Sequence, residues 1–228
     1  MSTNLITGYA GKSHITSAGD GAVNAAVLGN GRYVLDIAEK FAYELISNNQ
    51  IRIKSGYAVN QGRKIELAVN DYEELTIDNG LQGVKRCDLI AITYEKNLET
   101  GIETAVMNVI KGTSGDDYLD PEHTVGNILN GDAKDDFLLY RVKINGLSIE
   151  SVEKLFEVRK SLINVLGTTD ISKIGNGTCT GAISSLNSGL KKYYTQTEVD
   201  NIIEKNKVKS IVIELSLIHI SEPTRRSY

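Results

Sequence analysis

The run Asp88-Leu89-Ile90-Ala91-Ile92-Thr93-Tyr94-Glu95 constrains this chain more than any other segment. It is nearly continuously apolar, of strand length rather than helix length, and rich in β-branched and aromatic residues. Such a run fits a central strand buried on both faces. A loop over Asn97–Gly101 separates it from a second strand-like run, Ile102–Lys111, and the two read as a long hairpin at the centre of a sheet. Around them lie shorter candidates. Val34–Ile37 and Phe41–Ile46 are apolar, and Gln50–Lys54, Arg63–Leu67 and Glu73–Ile77 alternate. Phe137–Ile144 forms another strand and Glu153–Val158 the last.

Asn60-Gln61-Gly62 and Asp78-Asn79-Gly80 supply turns between these runs. The connections are too short for repeated parallel crossovers. The expectation is therefore a mainly β chain, with an N-terminal antiparallel β-sandwich or barrel-like domain. Composition agrees. Eleven Tyr accompany three Phe and no Trp, and 21 Gly stand against two Pro, a balance that favours strands and tight turns.

Beyond Arg159 the pattern becomes helical. Leu162, Val165 and Leu166 end at Gly167, and Ile183, Leu186 and Leu190 then recur at spacings of three and four, the beginning of a coiled-coil seam weakened by Gly189. Thr195 followed three residues later by Glu198 predicts a capping box. Tyr194 before the cap and Val199 after it predict a hydrophobic staple, and Ile202 and Ile203 add a second apolar patch. A helix this short is marginal alone. It is expected to pack against copies of itself as an oligomeric, short α-helical coiled-coil stalk. The expected organisation is a glycine-rich N-terminal arm over 1–32, extended and packed on its neighbours, a β-rich attachment domain over 33–160, a helical stalk segment over 161–214, and a distinct tail over 215–228.

Several functional classes find little support. The net charge of −4 is mild and interspersed, without the basic block or basic-aromatic stripe of a nucleic-acid surface. No apolar run reaches membrane-spanning length, and the N-terminus lacks the basic and apolar regions of a secretory signal. Cys87 and Cys179 form neither a disulfide framework nor a zinc site, and Cys87 is expected to be buried as a small apolar residue. Gly8-Tyr9-Ala10-Gly11-Lys12-Ser13 ends like a phosphate-binding loop, but Ile6 stands where the first glycine belongs.

The acidic residues Asp116, Asp117, Asp120 and Glu122 with His123, joined by Asp132, Asp135 and Asp136, fit no EF-hand spacing and read as a solvated loop. Adjacent Glu73 and Glu74 on one strand point to opposite faces, unlike the facing carboxylates of a glycosidase. His14 and His123 have no nucleophile turn near them. No catalytic, cofactor or metal residue is expected. Arg86 and Asp88, on the face opposite Cys87, are expected to ion-pair across the sheet or a subunit interface.

Tyr193-Tyr194-Thr195-x-Thr197-Glu198-Val199-Asp200-x-Ile202-Ile203 resembles a segment that recurs in bacteriophage tail-fibre and baseplate proteins beside a trimeric coiled coil. The lead-in Ile174–Asn187, the opening Leu5–Thr16 and the strand Arg86-x-Asp88-Leu89-Ile90 are similar to segments of the same group from Gram-positive hosts and their prophages. The resemblance spans residues 1 to about 205. It implies a homotrimeric structural protein of the virion tail, made in the host cytoplasm. Its N-terminal domain would dock to other tail or baseplate proteins, and its distal part would reach toward a host cell-surface glycan. It carries over no catalytic residue. Leu215–Arg225 resembles the translation of a sequencing-library adapter, so the natural protein is expected to continue past Glu214. An alternative reading is a carbohydrate-binding module using Tyr57, Tyr72 and Tyr118; a virion-associated polysaccharide hydrolase is a further one.

Overall fold

The computed structural model describes residues 15–166, 173–190, 195 and 197–206. The chain divides into two compact units, Met1–Leu166 and Gly167–Tyr228. The first is mainly β. Sheet A contains β1 (Arg32–Leu35), β2 (Tyr43–Ser47), β3 (Gln50–Asn60), β4 (Arg63–Thr76) and β9 (Glu157–Arg159). Sheet B contains β5 (Lys85–Lys96), β6 (Glu103–Ile110), β7 (Lys134–Asn145) and β8 (Ser148–Lys154), in the order β6-β5-β7-β8. Every pairing is antiparallel except β1 with β9.

The apolar run of β5 takes the central position expected of it. Residues 86–94 are all buried, and β5 pairs with β7 on one side and β6 on the other. Its hairpin partner β6 is an edge strand rather than a central one, half-exposed along its length. The two sheets share one core, with Val34, Phe41, Ile51, Ile53 and Leu75 from the sheet A side meeting Ile90, Ile92, Phe137, Leu139 and Val142 of sheet B. The outer face of β5 is covered by the long loop 111–127, which explains how the strand is buried on both faces in a two-layer fold.

Three local features depart from the sequence reading. The alternating runs Arg63–Leu67 and Glu73–Ile77 belong largely to one strand, β4. The register against β3 slips between Lys54↔Tyr72 and Gly56↔Leu67, so the intervening residues form a wide bulge with Asn70 left-handed at φ 67°. The last strand is two. β7 turns back through Gly146 into β8, and the chain then crosses at Leu155–Phe156 to sheet A, burying Phe156 on the way. Phe41 takes φ 55°, an unusual value for a bulky residue. Its complete burial and the Tyr140 hydroxyl donating to its carbonyl at 2.9 Å offset the strain.

The glycine-rich N-terminal segment was expected to be extended, yet Ser17–Leu28 is a helix, α1, capped by Thr16 Oγ1 accepting from Gly19 N. The glycines serve close approach instead. Gly62 has φ 86°, and a Cβ there would stand 2.0 Å from the Gly21 carbonyl oxygen. Asn24 Nδ2 then donates to the Gly62 carbonyl at 3.0 Å. A short helix, α2 (Leu162–Leu166), ends this unit.

In the second unit α3 spans Cys179–Leu190 and a further helix spans 197–206. Thr178 Oγ1 caps α3 by accepting from Gly181 N at 3.0 Å. Among the described residues both helices are short, and the expected coiled-coil stalk is not shown. Residues 1–14 and 215–228, and with them the phosphate-loop-like segment, His14 and the adapter-like tail, lie outside the described residues. Among the described residues no helix is long and apolar enough to cross a membrane.

Replacing Gly62 with alanine is expected to destabilise the first unit by more than about 1 kcal/mol, because strain at φ 86° adds to the clash with Gly21. Urea denaturation of the variant against the parent measures this; equal midpoints would refute the close-approach reading.

Candidate functional site

Buried charge in the β unit is concentrated in two clusters. Arg86 and Asp88 are 3% and 0% exposed and share the inward face of β5 through i,i+2 alternation. They pair with each other rather than across the sheet: Arg86 Nε donates to Asp88 Oδ1 at 2.8 Å and Nη2 to Oδ2 at 2.9 Å. The remaining guanidinium donors reach the Asp78 and Asn79 carbonyls, and Gly112 N donates to Asp88 Oδ1 at 2.9 Å. With its donors and acceptors met by neighbouring backbone, this pair locks the Asp78–Gly80 turn and the start of the long loop onto β5.

The second cluster surrounds Asp135, at the start of β7. Its carboxylate is fully buried and accepts from Arg32 Nε at 2.9 Å, Asn60 Nδ2 at 2.8 Å and Gly126 N at 2.8 Å, with Arg32 Nη2 as a further donor. Burial alone would raise its pKa. The donors from Arg32, Asn60 and Gly126 outweigh that and hold the carboxyl below the usual range. Neighbouring Asp136 is 6% exposed and accepts from Thr93 Oγ1 and Thr124 N, both at 2.6 Å.

The acidic loop is thus only partly solvated, which corrects the expectation for Asp135 and Asp136, while Asp120 is exposed. Asp120 binds Arg141 and accepts from the Cys87 thiol at 3.1 Å. Cys87 is completely buried, as expected, and burial followed by the Asp120 carboxylate pushes its thiol pKa up to about 12. A thiol so protonated is a poor nucleophile. Among the described residues no group of three or more His, Cys, Asp or Glu side chains is placed to hold a metal ion.

A third polar group lines a cavity of about 340 Å³ beside α1, the β3–β4 turn and the β5–β6 hairpin. Arg63 Nε donates to Glu103 Oε2 at 2.8 Å and Nη2 to Oε1 at 3.2 Å, while Ser17 Oγ of α1 donates to the same carboxylate at 3.0 Å. Arg63 Nη1 and the Tyr94 hydroxyl are buried without a partner at good hydrogen-bond geometry, although Tyr94 interacts electrostatically with both Arg63 and Glu103. Each such group costs about 1–3 kcal/mol. Nothing in the sequence reading singled out this site, because Tyr94, Arg63 and Glu103 sit on three different strands.

The tyrosines of the carbohydrate-binding alternative lie on two parts of the β unit. Tyr57 and Tyr72 lie on sheet A, the first donating to Glu66 and the second with the Arg52 guanidinium 4.3 Å from its ring centroid. Tyr118 lies on the long loop, its ring flanked by Lys85 and Lys143. Glu74 is taken up by Arg52 and Gln50.

In the C-terminal unit, Thr195 and Glu198 form the capping box: Glu198 N donates to Thr195 Oγ1 at 3.2 Å, and Thr195 N donates to Glu198 Oε2 at 2.6 Å. The helix this box opens continues through Val199, which is half-buried, to Ile202 and Ile203, which are 41% and 47% exposed. On α3, Ile183 and Leu186 are 66% and 62% exposed. Leu190 ends α3, and Tyr194, the staple residue, lies outside the described residues. No protein-family model matches the chain, and comparison with curated proteins gives no match.

Asp135→Asn is expected to cost about 3 kcal/mol at neutral pH, since it leaves the Arg32 guanidinium facing a neutral group in a buried pair. Because the folded pKa is depressed, the stability from Asp135 is fully present above its unfolded value of about 3.9 and is lost as pH falls through the folded value. Urea denaturation from pH 7 down to pH 3 should therefore give a flatter stability profile for the variant than for the parent. Parallel profiles would refute this.

Proposed function

We propose that the chain is a structural component of a phage tail, either a tail fibre or a baseplate protein. In this reading the β unit docks to other tail proteins. The C-terminal helices begin a stalk of three copies directed toward the host surface. The carrying observation is the apolar exposure on those helices. Ile183, Leu186, Ile202 and Ile203 are all more than 40% exposed in the single chain, on segments of about three turns that are marginal without tertiary contacts. Packing against two further copies removes that surface from water and is the arrangement the resemblance to tail proteins implies.

Two other features support a structural role. The capping box at Thr195 fixes where the helix starts, which a stalk needs if three chains are to begin in register. The buried charges of the β unit are committed to backbone and to one another, as expected of a docking scaffold.

Light scattering on the full chain at micromolar concentration tests the reading. The expected mass is three times the chain mass of 24.9 kDa. The double variant Ile202→Ser/Ile203→Ser is expected to shift the population toward the single-chain mass. Thr195→Ala should weaken the assembly by about 1 kcal/mol through loss of the cap. A parent chain that stays strictly monomeric would overturn the proposal.

A further inference from the structure

We propose that the free edge of β2 is a docking surface for the β2 strand of a second copy, which extends sheet A across a two-fold axis. The inference goes beyond the tail reading and does not depend on it.

Sheet A is incomplete on this side. Within it β2 pairs with β3 alone. Tyr43 stands opposite Ile53 and Leu45 opposite Ile51, and both partners are 0% exposed in the core. Residues directly opposite on paired strands share a face. Tyr43 and Leu45 therefore point to the interior side of the sandwich, where the Tyr43 ring meets Tyr140 edge to face with centroids 5.1 Å apart. Yet they stay 41% and 48% exposed, and Ile46 at the adjoining bulge is 40% exposed. An interior face left in water at the last strand lacks the next strand.

The backbone points the same way. Lys54 N donates to the Ala42 carbonyl at 2.9 Å. Alternation then turns the amide groups of Ala42 and Glu44 to β3 and those of Tyr43 and Leu45 outward. Sheet edges are ordinarily guarded by lysine, proline or a covering element. The edges of β4 and β6 are guarded: Arg63 pairs with Glu103 at 2.8 Å, and α1 reaches both strands through Ser17–Glu103 and Asp20–Lys64. By contrast β2 has neither Lys nor Pro, and its one charge, Glu44, lies 3.6 Å from Lys54 of its own chain.

A second β2 fits this edge in one register. Antiparallel pairing centred on Leu45 brings the two Leu45 side chains together. It sets Glu44 opposite Ile46, and Tyr43 opposite Ser47, of the second copy. Centring on Glu44 instead would face two carboxylates, which is destabilising. The axis runs perpendicular to the sheet, so the interior sides of both copies coincide and their apolar residues cover each other. The patch is a few residues wide, well below the roughly 800 Å² per partner of a standard interface. The pairing is therefore weak and belongs above the micromolar range.

The experiment is sedimentation equilibrium on the full-length Ile202→Ser/Ile203→Ser chain, which lacks the proposed stalk contact. Its mass is expected to rise from one to two chains of 24.9 kDa between about 10 μM and about 1 mM. Over the same range the Tyr43 and Leu45 amides should gain protection from hydrogen exchange. Ile46→Lys places a cation opposite Glu44 and should tighten the pairing about fivefold, and Ile46→Glu should weaken it about as much, because symmetry counts each pair twice. Leu45→Lys should abolish it. Both positions are at least 40% exposed, so the fold is expected to persist, with circular dichroism unchanged. A chain that stays single at about 1 mM, a two-chain mass indifferent to all three substitutions, or protection that appears on β4 instead overturns the proposal. The stalk reading fails separately, when the parent does not reach three copies.

Discussion

The sandwich depends on a single buried carboxylate. Asp135 begins β7 in sheet B, yet its hydrogen bonds come from Arg32 on β1 and Asn60 on β3, both in sheet A, and from Gly126 in the long loop. An apolar core is non-directional and tolerates sliding of one layer over the other. A buried anion with four fixed donors does not, because any slip leaves a charge unpaired at low dielectric. This carboxylate therefore sets the relative placement of the two sheets at one end of the unit. The Arg86–Asp88 pair does a related job further along β5, where it anchors a turn and a loop.

The loop over the outer face of sheet B follows from the same economy. β5 is too apolar to face water on either side, and among the described residues no third layer of helix or sheet covers it. Chain 111–127 does so, held by Gly112 N on Asp88, Thr124 N on Asp136, Gly126 N on Asp135 and Asp120 on Arg141. A stretch without regular secondary structure can lie over an apolar strand only if its backbone groups find partners. The acidic side chains of this region supply them. That is why Asp135 and Asp136 are buried in a segment whose composition alone reads as solvated.

How much of this was legible in the sequence divides along the range of the interactions. The mainly β character, the centrality of Asp88–Glu95, the turn at Asn60–Gly62 and the capping box at Thr195 all rest on near neighbours, and periodicity reports near neighbours well. The helix α1 was hidden because glycine lowers helix propensity, and its reason for being there, contact with Gly62, is about forty residues away. The wide bulge at Asn70 made one strand look like two. The cavity of Arg63, Tyr94 and Glu103 was invisible for a similar reason: three strands contribute one residue each, and no local spacing betrays them.

The two units also differ in where their apolar surface ends up. In the β unit the core apolar residues of both sheets, Phe41, Ile51, Ile53, Leu89, Ile90 and Leu139 among them, are fully buried, while Leu45, Ile46, Val69 and Val106 of its strands are 40–60% exposed. The C-terminal helices keep Ile183, Leu186, Ile202 and Ile203 in water, on segments about twelve residues long or shorter. Helices of that length gain their stability from an apolar face that something covers. In the proposed tail role, packing of these helices against further copies supplies that cover.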